Sequence, residues 1–379
     1  MRSRLLMSVV IGFTAVTTWP LMVVAQAQLP PQVEARIPKP PTVASLDGQR
    51  AIVYEIHVTN VTADTQTLKR VETLDASSGN AIVALTDSAL GVAIARRGAP
   101  VARADRPKIG PGLRAIVFMW VPVGTAVPAT ISHRLSFESG SGDSVRTAVL
   151  ETSAVPVAQD APVLGPPLRG GSWLAANGPS NESGHRRALI GVAGGLFIAQ
   201  RFAIDYVKLV ENGSGTFTGD RLKNSSYAAW GTDALAVADG QVVAVKDGIP
   251  ENVPGVNSRA VPITMETVGG NHVIVDLGRG KYAFYAHLQP GSIKVKIGDR
   301  VRRGQVLGLV GNSGNSTEPH LHFHVSDANS PLGSEGVPYV HESLDVVGRC
   351  RSLFADCARG AGETRRGQMP AANQLVRFP

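Results

Sequence analysis

The hexapeptide Pro319-His320-Leu321-His322-Phe323-His324 constrains this chain more than any other stretch. As a strand it places residues two apart on one face, so His320, His322 and His324 line one side while Leu321 and Phe323 enter a core on the other. Three adjacent imidazoles rarely serve packing alone. Imidazole nitrogen is a favoured zinc donor, and a catalytic zinc site takes three protein ligands with an open fourth position. The competing reading is a solvated His-rich strand. Composition agrees with a β reading: 41 Gly and 25 Pro against 5% aromatics favour turns and short strands and disfavour a coiled coil or helical bundle. With 43% hydrophobic and 18% charged residues the chain can bury a core, which excludes wholesale disorder. Its 379 residues suggest two domains at roughly 150 residues each.

The chain opens with Arg2 and Arg4 before an apolar run from Leu5 to Ala25, and Ala25-Gln26-Ala27 has the small-x-small form of a cleavage site. Residues 1–27 therefore read as a signal peptide and the protein as exported, to the periplasm or beyond, with a retained anchor as the alternative. A Pro-rich linker, 28–47, leads into a domain at 48–160. There Ile52, Tyr54, Ile56 and Val58 share one face and Glu55, His57 and Thr59 the other, Ala115 to Val123 is apolar, and Ile131, His133, Leu135 and Phe137 alternate again. Short strands divided by turn signals suggest an immunoglobulin-like β-sandwich, with His57 and His133 as structural surface positions. Pro- and Gly-rich residues 161–183 read as a second linker, 184–346 as a second β domain, and 347–379 as a tail, disordered from Ala358 onward. Cys350 and Cys357 are the only cysteines, and a local disulfide suits an exported protein better than a two-cysteine zinc site. The net charge of +7 carries no nucleic-acid signature and reads as attraction to an anionic envelope surface.

A histidine pair cannot complete a metal site alone. Asp205 is an acidic residue in the otherwise apolar strand Phe202 to Val207, where an unpaired carboxylate is costly to bury, and His287 ends another strand, Tyr282 to His287. The segment from Gly270 to Val325 resembles the core of the lysostaphin-like, or LytM-type, zinc metallopeptidases that cleave peptidoglycan cross-links. The likeness rests on Tyr285-Ala286-His287-Leu288, Gly298-Asp299, Val301, Gly304-Gln305 and Pro319-His320-Leu321-His322-Phe323, with Gly231-Thr232, Ala236 and Asp239-Gly240 upstream.

That resemblance implies a mostly antiparallel duplicated-hybrid-motif domain, all-β overall with the sandwich, and a zinc endopeptidase acting on peptidoglycan peptides in an open groove. It implies Zn²⁺ held at the positions of Arg201, Asp205 and His322, with His320 and His287 activating water or stabilising the oxyanion. Arg201, however, stands where the family has a histidine. A guanidinium about 5 Å from Zn²⁺ would be repelled by on the order of 6–7 kcal/mol at an effective dielectric near 20, and it offers no lone pair. One resolution has Arg201 turn away while His185 supplies the missing donor, with His324 in place of the family's usual glutamate. The other pairs Arg201 with Asp205 in a metal-free module that binds the wall or activates a partner wall hydrolase. Retention of Asp205, His287, His320 and His322 together favours the first, since polar groups converging on a dry site cost stability. The register of Gly298 to Gly311 also resembles biotinyl and lipoyl carriers, but the following turn, Asn312 to Ser316, lacks the lysine they modify.

Overall fold

The computed structural model describes residues 31–98, 100–140, 144–211, 215–352 and 355–379. The expected signal peptide, 1–27, lies outside them. The regular structure of the described residues is nearly all β-strand, paired antiparallel except for Val163–Leu164 with Val340–His341. None of their helices is long and apolar enough to cross a membrane.

Two sheets form the N-terminal unit. One runs in the order Val33–Arg36, Gln49–Asn60, Arg114–Val123, Ile94–Arg96, with Thr42–Leu46 also paired to Gln49–Asn60. The other runs Arg146–Glu151, Thr130–Ser139, Gln66–Asp75, Ala81–Thr86. Ile52, Tyr54, Ile56 and Val58 meet Val117, Met119, Leu135 and Phe137 in the core between them. The expected linker 28–47 thus contains two strands, Val33–Arg36 and Thr42–Leu46: the described prolines fall outside them, where no ladder donor is lost, and both strands pair with Gln49–Asn60.

His57 and His133 are buried, not at the surface. His133 lies on the inward face with Leu135 and Phe137, and burial is tolerated because Nε2 meets the Tyr54 hydroxyl at 2.7 Å and Nδ1 the Thr152 hydroxyl at 3.2 Å. The face of Gln49–Asn60 that carries Glu55 and His57 is also buried. Ala51 and Val53 on that face join Leu164, Trp173 and Phe202 in the core of the second unit.

The second unit is organised on an eleven-stranded sheet. Its order is Arg300–Val301, Gly240–Lys246, Asn271–Asp276, Tyr282–Leu288, Leu321–Ser326, Ile204–Lys208, Gly170–Ala176, Gln374–Phe378, Leu344–Ser352, Ala355–Arg365, with Gly336–Val337 also paired to Leu321–Ser326. Two expectations fail here. The presumed linker 161–183 supplies the strand Gly170–Ala176, because Trp173, Leu174, Ala175 and Ala176 are an apolar run buried on both faces amid Gly- and Pro-rich neighbours. The presumed disordered tail supplies the strands Ala355–Arg365 and Gln374–Phe378, the latter anchored by Leu375, Val376 and Phe378 in the core. Cys350 and Cys357 are direct partners across the Leu344–Ser352 and Ala355–Arg365 hairpin and form a disulfide.

Candidate metal centre

The strand Leu321–Ser326 sits between Tyr282–Leu288 and Ile204–Lys208, and that position gathers the chemistry. Leu321 and Phe323 enter the core while His322 and His324 point to the other face. The antiparallel register sets His322 opposite Asp205 on one side and Ala286 on the other. His322 Nδ1 lies 2.8 Å from Asp205 Oδ1, and His320 Nε2 lies 3.4 Å from the same oxygen. His185, on the short helix Gly184–Arg187, brings its Nε2 to 3.3 Å from Asp205 Oδ2. One donor atom each of His185, Asp205 and His322 lies within 4.8 Å of the others. The His287 ring centroid is 4.8 Å from that of His320 and 5.8 Å from that of His322.

Hydrogen bonds fix how these rings face the carboxylate. Nδ1 of His185 meets the Asn177 carbonyl at 3.1 Å, Nδ1 of His320 meets that of Glu318 at 2.8 Å, and Nδ1 of His287 meets that of Ser313 at 2.8 Å. A carbonyl only accepts, so each Nδ1 carries hydrogen, and a ring with no second proton presents an Nε2 lone pair. For His185 and His320 that lone pair faces Asp205, an arrangement that repels unless a cation or proton lies between. His322 Nε2 stands 3.0 Å from His324 Nδ1; when it donates there, its Nδ1 lone pair also faces Asp205. This donor set of imidazole nitrogen and carboxylate oxygen, each oriented by an outer partner, fits zinc.

Burial by itself would raise the Asp205 pKa, but the His185 and His320 charges and the bonds from His320 and His322 outweigh it and hold the carboxyl well below its usual range. Burial lowers the His320 pKa, and Asp205 with the Glu318 side chain and carbonyl reverses this to a net rise. Burial, with the neighbouring imidazoles, drives His287 and His324 well below the ordinary histidine value.

Arg201 pairs with neither Asp205 nor any group at the centre. Its guanidinium turns away, bonding Glu55 Oε2 at 2.8 Å, Glu335 Oε2 at 2.6 Å and the Gly336 carbonyl at 3.0 Å. The cavity that reaches His287 and His322 is about 20 Å³, walled by Gln200, Val268, Phe284, Pro331 and Leu332. Larger cavities, about 550 and 540 Å³, are lined chiefly by residues of the N-terminal unit.

Several contributors lie outside the motif. Asn177, in the presumed linker, donates from Nδ2 to Asp205 Oδ2 at 2.8 Å while its carbonyl orients His185. Its position just after an apolar run, before Gly178 and Pro179, is the sole sequence signal, and that reads as a turn. His287 adopts φ 65°, uncommon for a side-chain-bearing residue, at the end of its strand. Its partner Ser313 is delivered by a turn whose Gly314, at φ 71°, leaves no room for a Cβ, which would stand 2.2 Å from the Gly270 nitrogen.

Comparison with known proteins follows the same residues. Residues 225–333 match the model of peptidase family M23, which begins after Arg201 and Asp205. Over 103 residues the chain is 33% identical to the peptidoglycan DD-endopeptidase ShyA of Vibrio cholerae serotype O1, covering 27% of this chain and 23% of that protein. Over 146 residues it is 31% identical to ShyC, another peptidoglycan DD-endopeptidase of that organism, covering 38% of this chain and 31% of that protein. The matched segments thus span less than a third of either relative. The solved catalytic domain of the prophage-encoded M23 protein EnpA from Enterococcus faecalis aligns at 24% identity and a TM-score of 0.27, covering 47% of this chain and 93% of that one. With its His-Leu-His-Phe strand and Tyr-Ala-His strand end lying inside the matched segment, the chain carries a peptidase family M23 domain.

Proposed function

We propose that this protein is an exported zinc endopeptidase that hydrolyses peptide bonds of peptidoglycan cross-links, its metal held by His185, Asp205 and His322. The observation that carries the reading is the convergence of those three donors within 4.8 Å while Arg201 is tied elsewhere. The peptidoglycan endopeptidases among its relatives support the substrate class, and the apolar run from Leu5 to Ala25 supports export. Zinc would supply Lewis acidity and acidify water at this centre. The protein's own groups divide the proton work. His287, held neutral by burial and pinned through Nδ1 to Ser313, keeps Nε2 free to accept a proton. His320, whose proton is favoured by Asp205, donates toward the charge that develops on the carbonyl oxygen. Two imidazoles with affinities pushed apart in this way suit a base and an acid. The immunoglobulin-like sandwich would orient the peptidase domain.

A second reading has one observation in its favour: a cavity of about 20 Å³ does not admit a peptide. On that reading the module binds the wall or activates another wall hydrolase without cutting. Release of new amino termini from purified peptidoglycan separates the two. The peptidase reading expects release that a chelator and His322→Ala each abolish. A wild-type protein that binds no zinc, releases nothing and accelerates a partner hydrolase supports the second.

A further inference from the structure

Glu55 is almost fully buried, at 2% exposure, on the outer face of the sandwich strand Gln49–Asn60. Two guanidiniums from the second unit converge on its carboxylate. Arg186 Nε donates to Oε1 at 3.2 Å; Arg201 Nε donates to Oε2 at 3.0 Å and Arg201 Nη2 to the same oxygen at 2.8 Å. Arg186, itself 0% exposed, also donates from Nη2 to the backbone carbonyls of Tyr54 and Met119, both 2.9 Å away on adjacent sandwich strands. Next to it, Arg187 lies over the Phe118 ring and donates to the Val92 carbonyl. Burial would raise the Glu55 pKa, but Arg201 and Arg186 outweigh it, so the carboxylate stays charged.

These bonds act on a particular place. Arg186 directly follows His185, and Arg201 lies four residues before Asp205, so one sandwich carboxylate ties down the approaches to two of the three donors. The helix Gly184–Arg187 is a single turn with no side-chain cap, too short to hold its own geometry. Within the second unit Asn177 orients His185 and accepts from the Ser183 hydroxyl, and the Asn181 carbonyl accepts from Arg187 Nε; the Arg186 side chain between them is held by Glu55, Tyr54 and Met119 of the N-terminal unit.

We propose that Glu55 is a positioning residue that completes the metal centre across the domain interface: by clamping Arg186 and Arg201 it places His185 against Asp205 and His322, so metal affinity depends on sandwich docking. This rests on the reading of His185, Asp205 and His322 as metal donors. The residue where a donor was expected has become part of the clamp that positions its replacement.

A double-mutant cycle on the full chain tests this, with zinc affinity measured by competition against a chromophoric chelator and the Co²⁺ absorption spectrum recorded alongside. Glu55→Ala should weaken zinc binding by about tenfold or more, the scale of lost outer support, and shift the Co²⁺ spectrum toward that of His185→Ala. In the His185→Ala background Glu55→Ala should add almost nothing. Wild-type affinity in Glu55→Ala, or additive losses in the double variant, would overturn the proposal. Glu55→Gln, nearly isosteric, repeats the cycle if Glu55→Ala does not fold. Amide hydrogen exchange over residues 184–188 supplies a reading that needs no metal: faster exchange in Glu55→Gln supports the clamp, and unchanged exchange defeats it. No zinc bound by the wild-type chain, together with that faster exchange in Glu55→Gln, overturns the metal assignment and leaves only the clamp.

Discussion

At the scale of single residues, Asp205 is the pivot. His185, His320, His322 and Asn177 all address its two oxygens, and an unpaired carboxylate at 8% exposure would be costly. Asn177 is the one amide among them, and its backbone carbonyl also orients His185, so its side chain can be removed without removing any proposed ligand. Asn177→Ala should leave the fold intact and weaken zinc binding by about tenfold, as loss of an outer partner does in other metal sites. Chelator competition on variant and wild type measures this. The motif residues and Asp205 were readable because alternation and an acidic residue in an apolar strand are local signals. Asn177 and Glu55 were not, because each looks ordinary in its own segment and acquires a role only through partners 28 and 131 or more residues away.

At the scale of elements, alternation reported which strands exist but not which faces are covered. In Gln49–Asn60 the polar face looked solvent-directed, yet Glu55 and His57 are buried there because a second unit packs on it. His133 went the other way: its apolar neighbours Ile131, Leu135 and Phe137 share its face, and partners from Tyr54 and Thr152 make the inward position tolerable. The strands from the presumed linker and tail were hidden by Gly, Pro and Arg, which mask short apolar runs such as Trp173 to Ala176 and Leu375-Val376.

Burial of His133 has a pH consequence. Desolvation pushes its pKa down to about 4, whereas the unfolded chain titrates near the ordinary value of about 6.5. Between these values the unfolded state binds more protons, so stability is full above about pH 6.5 and is lost as pH falls toward 4. His133 alone should contribute a loss of about 2 kcal/mol between pH 7 and pH 5. Denaturant titrations of wild type and His133→Gln at both pH values check this. The variant should be less stable at pH 7, having lost the Tyr54 bond, but its decline from pH 7 to 5 should be smaller by that amount. Equal declines would show that His133 does not stay neutral in the folded state.

For the whole molecule, the two units are not beads on a linker. Ala44, Leu46, Ala51 and Val53 of the N-terminal unit share a core with Phe202, Phe323 and Tyr339, and a charge cluster of buried Glu55, Arg186 and Arg201 with part-buried Glu335 lies across the same junction. Such a cluster is weak as a source of stability but strict about geometry, since removing one partner leaves buried charge uncompensated. Here the geometry it dictates includes the segment that carries His185. Arg201, turned away from the centre, and His185, turned toward it, are therefore anchored by the same carboxylate, Glu55 of the N-terminal unit.

Zinc affinity of the full chain, measured for wild type, His185→Ala and the double variant His185→Ala/Arg201→His, tests that claim most directly. The account predicts about one zinc per wild-type chain, a loss of about 100-fold or more in His185→Ala, as expected when one of three protein ligands goes, and partial recovery when histidine returns at position 201. Wild-type affinity retained in His185→Ala would contradict it.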